Sequence, residues 1–313
     1  MLSVVVPCFN EAEVFPETVR RILDACRGLG REFEVIFVDD GSTDATWTLI
    51  AAARADDPRI KGVKLARNHG HQLALTAGLA AASGDPILML DADLQDPPEL
   101  LPDMLALMER GYDVVYGKRR SRRGETWFKL ASASAFYRLL GRLSDVEIPA
   151  DTGDFRLVSR KVLDEFLKMP ERNRFVRGMF AWLGHRQIGL EYDRDERAAG
   201  TTKYPLRAML RFATDAFTSF SALPLKIAST MAFGSFIVTA AVGLYVAWSL
   251  IFLSTVPGWA SLLLILSFFA GIQLLTLGIM GEYVGRIYTE VKGRPVFVID
   301  RHLGIGSPDE TDG

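Results

Sequence analysis

Along the first 120 residues, short apolar runs alternate with longer stretches whose apolar positions recur every three or four residues. The runs Ser3–Val6, Phe33–Val38, Ile60–Leu65, Ile87–Leu90 and Asp113–Tyr116 are rich in Val and Ile and bounded by turn residues, which predicts buried strands. Between them Glu11–Arg27, Asp44–Ala55, Gln72–Ala82 and Glu99–Arg110 predict helices, the first with an apolar stripe of Val14, Val19, Ile22 and Leu23. Alternation of this kind predicts a mostly parallel sheet with helices on both faces.

Beyond Tyr116 the texture changes. Basic residues crowd Lys118-Arg119-Arg120 and Arg122-Arg123, a helical pattern runs from Thr126 to Leu143, and Ala150–Arg156 reads as a turn leading into a helix near Arg160. From Tyr204 to Leu223 the chain is amphipathic, with Leu206, Met209, Leu210, Ala213, Phe217 and Phe220 on one side and Arg207, Arg211 and Asp215 spaced by four. Residues 227–281 then form 55 consecutive positions without Asp, Glu, Lys, Arg or His, broken by Pro257-Gly258. Each half, Ile227–Leu253 and Trp259–Gly281, exceeds the ~20 apolar residues needed to cross a bilayer, so the pattern predicts a transmembrane hairpin. Two long helices buried on every side of a soluble core would need more surrounding mass than this chain has. Next to the hairpin, Tyr204–Leu223 reads either as a helix lying in the membrane interface or as a core-packing helix of the soluble part.

Charge gives the hairpin a direction. Arg207, Arg211 and Lys226 precede it, Arg286, Lys292 and Arg294 follow it, and the turn Ser254–Gly258 carries none, which places both termini in the cytoplasm. The first strand starts directly behind Met1-Leu2, so no signal peptide is expected. A net charge of −2 does not imply a general nucleic-acid surface, and no nucleic-acid partner is expected. Cys8 and Cys26 have no metal-type spacing and read as reduced and structural. The tail Gly304–Gly313 is small, polar and acidic and is expected to be disordered. The expected organisation is a catalytic domain over 1–203, an interfacial helix over 204–226, the hairpin over 227–283 and a cytoplasmic segment over 284–313, with internal repeats absent.

Candidate chemistry is densest at Asp91-Ala92-Asp93-Leu94-Gln95-Asp96, behind the run Ile87–Leu90. Carboxyl ends of strands are where open α/β sheets bind ligands. Carboxylates two apart at a strand end share a face, so Asp91 and Asp93 could grip a hard divalent cation together with diphosphate oxygens. On the hexapeptide alone, a helix-entry turn before Pro97-Pro98 is an equal reading. No Gly-x-Gly-x-x-Gly follows the first strand and no Walker loop exists, so phosphates must be met by a metal and basic side chains. His69 and His71, and the acidic pair Asp145 and Glu147, read as solvated loop residues.

Four motifs in order, Val6-Pro7-Cys8-Phe9-Asn10-Glu11, Val38-Asp39-Asp40-Gly41-Ser42-Thr43-Asp44, Asp91–Asp96 and Thr152-Gly153-Asp154-Phe155-Arg156, make the chain resemble family 2 glycosyltransferases of the GT-A fold. Within that family it looks most like the polyprenyl-phosphate branch, the bactoprenol glucosyltransferases and dolichol-phosphate mannose synthases. The likeness covers about residues 3 to 300, hairpin included. It implies a Rossmann-like, mostly parallel α/β sheet followed by an interfacial helix and two transmembrane helices. It further implies that Pro7, Phe9 and Glu11 pack on the donor's base and ribose, and that Val38 and Asp40 read the base edge, with Asp39 either sharing that role or supporting the loop. By the same likeness Asp91, Asp93 and Gln95 are the metal and diphosphate set for Mg²⁺ or Mn²⁺, with Ala92 in backbone contact. Arg119 matches an arginine that meets the acceptor phosphate, and Arg197 and Lys203 a basic pair that closes over the phosphates.

The implied reaction is inverting transfer of a hexose from a UDP-sugar to polyprenyl (undecaprenyl) phosphate at the cytoplasmic membrane face, with glucose ahead of mannose, galactose and amino sugars. A phosphate monoester loses its second proton near pH ~6, so this nucleophile needs little help from a base. Asp154, the position proposed as base in the bactoprenol branch, is therefore expected to orient a cation or a sugar hydroxyl. Other readings are a GDP-mannose-dependent mannosyltransferase, a processive polysaccharide synthase, whose Gln-x-x-Arg-Trp motif is missing here, and a catalytically inactive membrane scaffold. The interfacial segment and Pro295–Ile299 are the features that would support a tetramer.

Overall fold

The computed structural model describes residues 1–120, 152–172, 174–193 and 258–305, with scattered positions between 228 and 252. The expected interfacial helix, the helical pattern at 126–143, Asp145 and Glu147, the tail past residue 305, and Arg197 and Lys203 lie outside the described residues. What is described falls into two units, a sheet with its helices and a separate segment holding one long helix.

The sheet is built from β1 (Leu2–Cys8), β2 (Phe33–Asp39), β3 (Ile60–Leu65), β4 (Ile87–Met89), β5 (Val114–Arg119), β6 (Thr152–Val158), β7 (Gln187–Tyr192) and β8 (Ile299–Leu303). Its spatial order is β7-β5-β6-β4-β1-β2-β3-β8. β1, β2, β3 and β4 are mutually parallel, β6 enters antiparallel between β4 and β5, and β8 closes the far edge antiparallel to β3. Helices α1 (Phe15–Arg27), α2 (Thr46–Asp56), α3 (His71–Ala81), α4 (Leu101–Glu109), α5 (Arg160–Lys168) and α6 (Val176–Trp182) complete the unit.

The core follows from the apolar runs. β1 and β2 are buried at all seven positions each, as strands covered on both faces must be. Phe15 of α1 meets Phe37 of β2 edge-on, with ring centroids 4.8 Å apart. On the other face α3 comes close because Gly78 has no side chain. A Cβ there would fall 2.4 Å from Val5 Cγ1 and 2.7 Å from Val38 Cγ2. Gly78→Ala is therefore expected to lose about 1–3 kcal/mol to overpacking. A denaturant midpoint that does not move would show that α3 can shift freely.

Several boundaries differ from the sequence reading for identifiable reasons. α1 starts at Phe15, not Glu11, because the backbone N–H groups of Asn10, Glu11 and Ala12 donate to Ser42, Thr46 and Asp44 across the β2–α2 loop. Thr152–Arg156 is not a turn but the start of β6, a fully buried strand whose Asp154 is met by His71 and Gln72 from far along the chain. The segment after the apolar stretch is not a separate tail: β8 pairs with β3, and Ala66 N–H donates to the Val298 carbonyl at 2.9 Å. Pro295–Ile299 thus leads into a strand of the chain's own sheet, so it gives no support to a tetramer.

In the other unit α7 (Trp259–Val291) is one helix of 33 residues. At 1.5 Å per residue it is about 50 Å long, more than the ~30 Å of a bilayer core. It runs ten residues past the expected end at Gly281 and carries Glu282, Arg286 and Glu290 in that extension. Among the described residues it holds the one segment, Phe268–Val291, long and apolar enough to cross a membrane. The first expected span is described only at scattered positions, all helical and including exposed Phe233, Leu244, Tyr245, Trp248 and Phe252.

Candidate active site

The strand order 3-2-1-4 reverses at β1, and crevices at such reversals lie outside the carboxyl ends of the strands. Every motif singled out in the sequence reaches this rim. β1 delivers Phe9 to Glu11, β2 delivers Asp39 and Asp40, and β4 delivers Asp91 to Asp96. β5 and β7 end there with Arg119 and Tyr192, while antiparallel β6 begins there with Thr152, Gly153 and Asp154.

The β1 and β2 side is a braced pair of loops. Asn10, at φ 54°, accepts the Thr43 N–H at 2.8 Å and donates its own N–H to Ser42 Oγ at 2.9 Å. Both carboxylate oxygens of Asp40 are taken, accepting from His69 N–H at 2.7 Å and Gly70 N–H at 2.9 Å. Asp39 is fully buried; one oxygen accepts from Ser42 N–H at 3.0 Å and Oδ2 has no hydrogen-bond partner among the described residues. Gly41, at φ 68°, lets the two loops touch, since a Cβ there would lie 2.5 Å from the Arg67 carbonyl carbon. Val38 directs its buried side chain at α3, not at the rim.

The acidic motif is a turn, not a strand end. β4 stops at Met89, and Leu94 adopts φ 59°, the left-handed region that a branched residue occupies only under constraint. The same-face argument for Asp91 and Asp93 therefore fails, and the turn itself gathers the carboxylates. Gln95 N–H braces Asp93 Oδ1 at 3.2 Å, and the Ala92 carbonyl accepts from Thr18 Oγ1 at 2.9 Å. Burial, with Asp154, Asp96 and Asp93 nearby, pushes the Asp91 carboxyl up to about 6 against the pull of His71. Carboxylate oxygens are the hard donors a divalent cation takes, but among the described residues no three or more His, Cys, Asp or Glu side chains are grouped as a ligand set.

Beside it lies a network the sequence reading missed. His71, expected to be solvated, sits at the start of α3 with Nε2 3.4 Å from Asp91 Oδ1 and 3.2 Å from Asp154 Oδ2. Burial opposes its charge, but Asp91 and Asp154 outweigh that and raise it to about 9. Gln72 donates to Asp154 Oδ2 at 2.7 Å and accepts the Val176 N–H at 2.9 Å, pinning α6 to the rim. Arg177 Nε is 3.5 Å from Asp154 Oδ1. Against the cost of burial, Arg177 and His71 hold the Asp154 carboxyl far below the ordinary carboxylate range. A carboxylate so held is a poor proton acceptor.

A second cluster surrounds Arg119. Its Nη2 is 3.8 Å from Asp96 Oδ1 and its Nε donates to the Tyr192 hydroxyl at 3.4 Å, while that hydroxyl donates to Asp96. His71, Gln72, Asp96, Arg177 and Tyr192 join this rim without any sequence motif announcing them as a set. His71 and Gln72 had one advance signal, position at the start of a predicted helix, and Asp96 lay inside the acidic motif; Arg177 and Tyr192 fall in α6 and β7, which the sequence pattern did not predict.

Residues 3–167 match the glycosyl transferase family 2 domain. The chain is 46% identical over 308 residues to an uncharacterized glycosyltransferase, YkcC, of Bacillus subtilis, covering 97% of this chain and 94% of that protein. It is 39% identical to the prophage-derived bactoprenol glucosyl transferase of Shigella flexneri, over 97% of this chain and 99% of the relative. It is also 38% identical to the prophage bactoprenol glucosyl transferase homolog of Escherichia coli, over 96% and 98%.

Proposed function

The chain belongs to glycosyl transferase family 2, and from that premise we propose that it transfers a hexose, glucose first, from a UDP-sugar to polyprenyl phosphate at the cytoplasmic face of the membrane. The observation that carries this reading is the similarity to bactoprenol glucosyl transferases along nearly the whole chain, apolar stretch included.

In this reading the donor lies at the β1/β4 reversal. Pro7, Phe9 and Glu11 line the base and ribose. Asp39, with a buried oxygen in want of a donor, is the better reader of the base edge; Asp40 serves it by fixing the 67–70 loop. Asp91 and Asp93, with Gln95, would hold Mg²⁺ or Mn²⁺. When bound, that ion supplies charge neutralisation to the departing diphosphate. Arg119 meets the acceptor phosphate, and Arg197 and Lys203, outside the described residues, close over the phosphates.

An acceptor phosphate oxygen forms the bond to the anomeric carbon as the carbon–oxygen bond to the diphosphate breaks, and the nucleoside diphosphate departs with the electron pair. The configuration inverts. The acceptor is already anionic near neutral pH, so no residue need remove a proton, and Asp154 acts by holding His71, Gln72 and Arg177 in place. α7 and the segment before it anchor the enzyme, with both termini cytoplasmic.

A donor screen tests the proposal: full-length protein, undecaprenyl phosphate, Mg²⁺ or Mn²⁺, and a panel of nucleotide sugars. Lipid glycosylation from UDP-glucose is the expected result. Transfer from GDP-mannose alone would move the chain to the mannose branch, and no transfer from any donor would return it to the scaffold reading.

A further inference from the structure

Asp96 is fully buried at the rim, and a buried carboxylate is costly unless hydrogen bonds and an opposite charge face it. Two of its partners come from strand ends that lie side by side. Arg119 closes β5 and Tyr192 closes β7, and the two are register partners in the parallel pairing of these strands. The Tyr192 hydroxyl has a single proton, which it gives to Asp96. Its lone pairs are left facing Arg119 Nε at 3.4 Å, while Arg119 Nη2 faces Asp96 itself at 3.8 Å. The guanidinium is thus held along one edge by two anchored oxygens, and 21% of the side-chain surface stays exposed.

The surroundings are shaped to keep that arrangement. The Tyr192 ring packs edge-on against Phe155, with centroids 5.7 Å apart, in space that Gly117 leaves open; a Cβ at Gly117 would fall 2.6 Å from Phe155 Cδ1 and 2.8 Å from Tyr192 Cε1. Gly153 does the same for the cation, since a Cβ there would lie 2.7 Å from Arg119 Nη2.

We propose that Tyr192 and Asp96 are positioning residues that aim the Arg119 guanidinium at the acceptor phosphate, with Gly153 keeping the seat of that guanidinium clear. This rests on the reading of Arg119 as the acceptor-phosphate contact. The effect belongs to the acceptor and not to the donor, which separates it from general support of the fold.

Steady-state kinetics of the full-length chain, varying undecaprenyl phosphate and UDP-sugar separately, test it with three variants. Arg119→Ala sets the scale, with an expected rise in acceptor KM of about a hundredfold. Tyr192→Phe keeps the ring against Phe155 and removes only the hydroxyl; it is expected to raise acceptor KM about tenfold and leave donor KM within about twofold. Gly153→Ala displaces the guanidinium with Tyr192 intact and is expected to give the same acceptor-selective defect, so the test survives if Tyr192→Phe folds poorly. Wild-type acceptor KM in both Tyr192→Phe and Gly153→Ala, with Arg119→Ala impaired, overturns the positioning role alone. Wild-type acceptor KM in Arg119→Ala overturns the acceptor-phosphate reading and the inference with it. Equal rises in both KM values, together with a fall in melting temperature, would make these residues merely structural and also overturn it.

Discussion

Asp93→Asn and, separately, Asp91→Asn are expected to lower the transfer rate by at least about a hundredfold, the scale of losing one fixed electrostatic contact to a charge that develops in the transition state. Either change keeps side-chain volume and removes an anionic oxygen. Neither should weaken the fold, because Asp91 stands in a cluster with Asp93, Asp96 and Asp154, where one negative charge fewer relieves repulsion. Steady-state rates and melting curves on the same preparations check both halves. Near-normal rates at saturating Mg²⁺ or Mn²⁺ would remove these carboxylates from the site, and a lost melting transition would make them structural.

Asp154→Ala should behave in the opposite way. The side chain is 6% exposed and is met by Gln72, His71 and Arg177, with buried Arg156 close by. Taking away the anion leaves buried cations uncompensated, a loss of about 3–5 kcal/mol. For a unit of this size that lowers the melting temperature by on the order of 10 °C. Asp154→Asn keeps the shape and one acceptor oxygen and should fall between the two. If Asp154→Asn instead melted like the wild type while losing a thousandfold or more in rate, a base would be the better description, and the held-down carboxyl would need another explanation.

The contrast between these two acids shows what could be read from the sequence. Strands β1 to β5 were legible because a strand covered on both faces is written as an apolar run, and Asp91–Asp96 was legible because carboxylates crowd behind one. β6 was misread because Gly153, Asp154 and Arg156 look like turn chemistry; the buried Asp154 is met by His71 and Gln72, more than 80 positions earlier. His71 looked like a solvated loop residue for the same reason. Tyr192 and Asp96 are 96 positions apart and neither belongs to a pattern that names the other. Local composition predicts elements, whereas a polar network is a property of the topology that brings strand ends together.

The placement of β8 bears on how the protein is made. The outer edge of β3 is completed by residues that follow a 33-residue apolar helix in the chain. During synthesis the remainder of the sheet can assemble first, with the N–H and C=O groups along that edge of β3 open to other chains. Only after the apolar helix has left the ribosome, and been delivered to whatever surrounds it, can the last strand dock. Maturation of the catalytic unit is therefore coupled to the fate of its apolar segment, and a product ending at Val291 would carry most of the rim chemistry on a sheet with an unguarded, association-prone border.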